Sequence, residues 1–89
     1  MKLTLYSKPD CLLCDELKAE LDNLQGQFSF TLIERNIEKN EAEFERYRYL
    51  IPVLDIEGGP ILYPPHSPQD MRLALATAAD SSESDGLHP

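Results

Sequence analysis

The stretch Tyr6–Leu17, YSKPDCLLCDEL, holds both cysteines of the 89-residue chain, three positions apart. A β-prone segment ends just before it and a helical pattern begins inside it, so its reading sets both the fold and the chemistry. The pair Cys11 and Cys14 is open to three readings: a redox couple, half of a metal site, or two small hydrophobes on a buried helix. Upstream, Lys2–Tyr6 (KLTLY) is short, β-prone and bounded by Ser-Lys-Pro, which predicts a strand. From about Cys11 onward, Leu13, Leu17, Leu21 and Leu24 recur at helical spacing, and Gln25-Gly26 supplies a stop.

Further along, Phe28–Ile37 (FSFTLIERNI) alternates Phe28, Phe30 and Leu32 with Ser29 and Thr31 and reads as a second strand. Asn40–Tyr49 is a charged helix with Phe44 and Tyr47 facing inward, capped by Asn40 with Glu43 three residues on. Pro52–Ile56 and Ile61–Tyr63 are two strands joined by the turn Glu57–Gly59, a hairpin. Ser67–Asp70 carries a helix cap, a first-turn proline and an acidic third position, and Met71, Ala74, Leu75 and Ala78 form one helical face behind it. Residues 1–79 thus form one α/β domain in the order β-α-β-α-β-β-α, a four-stranded mixed sheet flanked by helices. Residues 80–89 have little to bury and are expected to be a flexible tail.

Composition narrows the function classes. Apolar residues make up 42% of the chain, enough to fold one small domain. No run approaches the ~18 apolar residues of a membrane span, and the N-terminus lacks the pattern of a signal peptide, so the cytosol is the expected location. There thiols stay reduced, and a close cysteine pair points to catalysis or metal rather than a structural staple. The net charge of −8, with no basic stripe to offset it, argues against nucleic acid and against anionic membranes. It also keeps a small protein soluble.

A cysteine at a helix N-terminus has its thiolate stabilised by backbone N–H groups and the helix dipole. Cys11 has that position, and Lys8 adds a positive charge three residues earlier. Such settings lower a thiol pKa from ~8.5 to roughly 3.5–7.5. Cys14, one turn further in, lies within disulfide reach. The assignment is Cys11 as attacking nucleophile and Cys14 as resolving thiol. Asp10, Asp15 and Glu16 oppose thiolate formation, although Asp15 and Glu16 are also ordinary first-turn residues. Zinc would need four ligands, and only His66 and His88 remain as further candidates, so no metal site is expected. His66, among prolines, reads as a surface-loop histidine.

The element order, YSKPDCLLC after strand one and IPVL (Ile51–Leu54) opening strand three together resemble the glutaredoxin branch of the thioredoxin-fold superfamily. More narrowly, the chain resembles a small bacterial glutaredoxin-like family first catalogued as a domain of unknown function, over residues 2–78. The resemblance implies a thioredoxin-like fold with Cys11–Cys14 as the redox-active disulfide. It also implies a cis Pro52 beside the pair, with the Ile51 backbone held to dock an extended substrate or glutathione. Read without the family, Pro52 is a proline tolerated at the first position of a strand. Lys8 matches the lysine that glutaredoxins turn toward glutathione.

Three features depart from the family pattern. Leu12 and Leu13 stand between the cysteines, where a proline and an aromatic are usual. Gly58-Gly59 lies in the hairpin turn rather than before the last helix. YPPHSPQD (Tyr63–Asp70) occupies the place of the glutathione-holding motif, leaving Ser67 and the backbone of the last helix to receive a carboxylate. The expectation is a monomeric thiol–disulfide oxidoreductase with no bound cofactor and with glutathione as a candidate co-substrate. Its partner is a disulfide-bearing protein, and glutathione or a thioredoxin-type reductase recycles it. Two rivals stay open: a binding or regulatory module without efficient catalysis, docking through Leu12, Leu13 and the edge near Pro52, and a metal carrier using both thiolates.

Overall fold

Strand β1 (Lys2–Ser7) is the strand on which the sheet is built. A computed structural model describes residues 1–87, with side chains described for residues 1–79. After β1 come α1 (Leu12–Leu24), β2 (Thr31–Asn36), a 3₁₀ turn at Ile37–Lys39, α2 (Glu41–Tyr47), β3 (Val53–Ile56), β4 (Ile61–Leu62) and α3 (Pro68–Leu87). The sheet order is β2-β1-β3-β4. β2 runs parallel to β1, pairing Lys2 with Thr31 and Ser7 with Asn36, and β3 runs antiparallel to β1, pairing Leu5 with Leu54. This is the expected mixed α/β sheet.

Alternation along β1 divides the core in two. Leu3 and Leu5 point to one face with Leu54 and Ile56, where Leu17, Leu21 and Leu24 of α1 and Met71, Leu75 and Ala78 of α3 close over them. Tyr6 and Val53 point to the other face, against Ile37, Tyr47 and Phe44. Each fully buried leucine contributes about 1.5–3 kcal/mol of burial. The central hydrophobic layer therefore holds α1, and the cysteines on it, against the sheet.

Several boundaries differ from the sequence pattern. β2 begins at Thr31, not Phe28, because its partner β1 begins only at Lys2; the first link is the Thr31 N–H to the Met1 carbonyl, 2.9 Å. Phe28 is still tied to the end of α1, its N–H donating to the Leu24 carbonyl at 2.9 Å. The cap at Asn40 is half a capping box. Asn40 Oδ1 accepts the Glu43 N–H at 3.0 Å, but the Glu43 carboxylate turns to Arg35 Nε at 2.6 Å and ties α2 to β2 instead. The backbone of the last helix runs to Leu87, across the segment expected to be a tail, and among the residues whose side chains are described its last buried position is Ala78.

Candidate redox site

The chain turns from β1 into α1 through Pro9 and Asp10. Asp10 has φ of 59°, the left-handed conformation that aspartate tolerates better than most side chains. This turn delivers Cys11 as the N-cap of α1 with an extended backbone, φ −112° and ψ 105°. The Cys11 carbonyl accepts the Asp15 N–H at 3.1 Å, and its Sγ accepts the Cys14 N–H at 3.2 Å. Sulfur thus takes the place that a serine or aspartate oxygen fills at an ordinary helix start. The same N–H and the helix dipole favour negative charge on that sulfur when the bond is reduced.

Cys11 and Cys14 are joined as a disulfide, with Cα atoms 5.2 Å apart. Their surroundings differ. Cys11 is half-buried, while Cys14 is only 3% exposed and packs in line with Leu17, Leu21 and Leu24. The helical stripe expected to start at Leu13 starts at Cys14 instead, and Leu13 is 58% exposed. Leu12 is 72% exposed beside it. A stripe at Cys14, Leu17, Leu21 and Leu24 keeps one face of the helix on the sheet, so the cysteine, not the leucine, fills the first buried position. One accessible sulfur and one sheltered sulfur in a bond one helical turn long suit thiol–disulfide chemistry.

Lys8 is exposed and lines a cleft over the ends of β1 and β2 together with Asp10, Asp15 and Lys18. Among the described residues no carboxylate lies within ion-pair distance of Lys8, whereas Lys18 pairs with Glu34 at 3.2 Å. On the opposite side, Pro52 is fully buried and shares a groove with Leu13 and Leu17 of α1. The Ile51–Pro52 bond is cis. The Ile51 N–H donates to the Tyr47 carbonyl at 3.1 Å, and no backbone N–H among the described residues donates to the Ile51 carbonyl. The Ile51 N–H is therefore already taken within the fold.

Ser67 caps α3: its Oγ accepts the Asp70 N–H at 3.0 Å and its carbonyl accepts the Met71 N–H at 3.0 Å. It stands at the head of α3 and does not line the groove of Pro52. His66 is not the free surface histidine that its proline-rich surroundings suggest. It is part-buried, and its Nε2–H donates to the Pro52 carbonyl at 2.6 Å. Because a carbonyl only accepts, this contact fixes the proton on Nε2. The sequence carries no local signal for it, since His66 and Pro52 are joined by the return of the chain through β3, β4 and a second cis bond, Pro64–Pro65. Among the described residues no three His, Cys, Asp or Glu side chains converge as metal ligands, and no helix is long and apolar enough to cross a membrane. His88 lies outside the described residues.

The fold has relatives. It is similar to the X-ray structure of Northeast Structural Genomics target protein XcR50 from X. campestris, with a TM-score of 0.69 and 28% sequence identity over 80% of this chain and 91% of that one. The family model described as Glutaredoxin-like domain (DUF836) matches residues 2–76, which include β1, both cysteines, Pro52 and the first half of α3. With the cysteine pair at the head of α1 and a cis-proline opening β3, the chain belongs to the glutaredoxin-like domain family.

Proposed function

We propose that the protein is a thiol–disulfide oxidoreductase that works through Cys11 and Cys14. One observation carries this reading: the Cys11–Cys14 disulfide spans the first turn of α1 with Cys11 accessible and Cys14 sheltered. In the reduced protein the Cys11 thiolate attacks one sulfur of a substrate disulfide. A mixed disulfide forms, and one substrate thiolate leaves. The Cys14 thiol then loses its proton to solvent and attacks Cys11 Sγ, which restores the Cys11–Cys14 disulfide and expels the second substrate thiolate. Two electrons pass to the substrate, and a dithiol reductant or two glutathione molecules return them.

Lys8 supplies a cation near Cys11 for an anionic substrate or leaving thiolate. Ile51, through its carbonyl, and Pro52 form the docking edge, and Ser67 offers its remaining hydroxyl proton at the head of α3. The working compartment in this reading is the cytosol, and the working unit is a monomer. A second reading has its own support. Leu12 and Leu13, between the two cysteines, are large, apolar and exposed, as a binding module that docks partners without turnover would require.

A redox titration tests the first reading. Protein equilibrated across glutathione buffers, alkylated and weighed should show one two-electron transition between about −270 and −200 mV, the range between thioredoxin and glutaredoxins. Cys11→Ser should abolish exchange, and Cys14→Ser should accumulate mixed disulfides at Cys11. Cysteines that remain fully alkylatable under oxidising buffers would sink the oxidoreductase. Partners that still bind when both cysteines are serine would establish the docking module.

A further inference from the structure

We propose that the groove between α1 and the head of α3 selects disulfides carried on an extended protein segment in which an apolar side chain is followed by lysine or arginine. This rests on the exchange chemistry proposed above and names its substrate class. The groove encloses about 510 Å³, within the ~300–1,000 Å³ typical of ligand-sized sites. Its floor is apolar, with Leu17 and Met71 buried beneath the exposed Leu13. Its far wall is Pro52, Pro65 and Pro68. These prolines have no N–H to offer, so that wall presents hydrocarbon rather than hydrogen-bond donors.

The rim decides the charge of the occupant. Glu16 and Glu20 lie one helical turn apart on α1, the same face as Leu13 and Leu17, and both border the groove. No lysine or arginine lines it, and neither glutamate has an ion-pair partner among the described residues. The cationic side chains of this region lie across α1, where Lys8, Lys18 and Lys39 line the other cleft. His66, the remaining titratable group of the groove, has its Nε2–H on the Pro52 carbonyl. A carboxylate-bearing tripeptide entering here would meet two negative charges and no compensating cation. A leucine-sized side chain against Leu13 with a cation behind it would meet hydrocarbon and then carboxylate.

The test uses two synthetic peptides, each with one intrachain disulfide followed by leucine, differing only in a Lys-Lys or Glu-Glu ending. Fully reduced protein reduces each in single turnover, and alkylation quenches the reaction. Every rate is divided by that for reduction of the same peptide by dithiothreitol, which removes the peptide's own reactivity. The Lys-Lys peptide should react about ten-fold faster at low salt. That preference should shrink to about two-fold in ~0.5 M salt. In the Glu16→Gln, Glu20→Gln double variant the ratio should approach one; because both peptides meet the same Cys11, a changed thiol reactivity cancels. Leu13→Ser should slow both peptides and leave the ratio alone. A Glu-Glu peptide reduced as fast as its counterpart, or a ratio that survives the double variant, would overturn the groove assignment. If a small aromatic disulfide is reduced while the peptides are not distinguished, only this assignment falls. If no disulfide is reduced at all, the exchange reading falls with it.

Discussion

Replacing His66 probes the contact that links α3's leading loop to the cis-proline. The His66 Nε2–H to Pro52 carbonyl bond, at 2.6 Å, lies over a proline less than 2% exposed. A typical hydrogen bond contributes about 0.5–1.5 kcal/mol net, and an acceptor left buried without a donor costs about 1–3 kcal/mol. The groove beside His66 admits water, which recovers part of that penalty. His66→Phe, which keeps the ring and removes the donor, should therefore lose about 1.5 kcal/mol. In a domain of this size that is a fall of roughly 6–12 °C in Tm. His66→Gln restores an N–H donor on a longer, more flexible arm and should recover about half. His66→Ala loses packing as well and should fall furthest, by about 2 kcal/mol. Urea unfolding of the four proteins gives the stabilities, and single-turnover reduction of a peptide disulfide reports whether Pro52 has moved. If His66→Phe matches the parent within about 0.3 kcal/mol, the hydrogen bond does not hold the loop and the reasoning fails.

Tyr6 gives a pH test. Burial first, and then the negative charge of Tyr47, Asp55 and Glu43, pushes its phenol above the ordinary value of 10.0. The unfolded chain then sheds the proton first, so stability is full below pH ~10 and declines as pH rises through the folded pKa. Tyr6→Phe should flatten the decline in urea titrations above pH ~10, and identical slopes would contradict the assignment. The hairpin glycines should separate by mechanism. A Cβ on Gly59 would sit 3.0 Å from Ile56 Cγ2 and 3.1 Å from Ala78 Cβ, whereas Gly58 has open space but φ of +80°. Alanine should cost about 1–3 kcal/mol at Gly59 through overpacking and about 1–2 kcal/mol at Gly58 through the left-handed backbone. Asparagine should recover stability at Gly58 only, and recovery at both sites would refute the distinction.

The order of elements and the role of β1 are legible in the chain because Leu3, Leu5, Leu54 and Ile56 carry period-two alternation into one buried layer. The capping residues Asn40 and Ser67 are equally local, since each accepts an N–H three residues ahead. What escapes is whatever depends on a distant partner. The start of β2 is set by where β1 begins, so Phe28 and Phe30 carry the right pattern and no strand to pair with. The exchange of Leu13 for Cys14 in the buried stripe is invisible to a count of leucines, because cysteine is as small and apolar as the position requires. The His66 contact joins a histidine to the carbonyl of Pro52, from segments whose meeting only the assembled sheet defines. The helical backbone past Ala79 has no apolar periodicity to announce it.

The disulfide closes a ring inside a single helical turn, and that has a consequence for how redox state is reported. The bond joins two residues at the head of α1 and no second element, and α1 is also held down by Leu17, Leu21 and Leu24 in the core layer with β1 and β3. Opening the bond therefore frees two thiols without releasing any tertiary contact between elements. Such a bond can open and close with no change of outline. Shape-sensitive probes such as limited proteolysis or conformational antibodies should find the two states alike, and a partner that tells them apart must do so by touching the first turn of α1 itself.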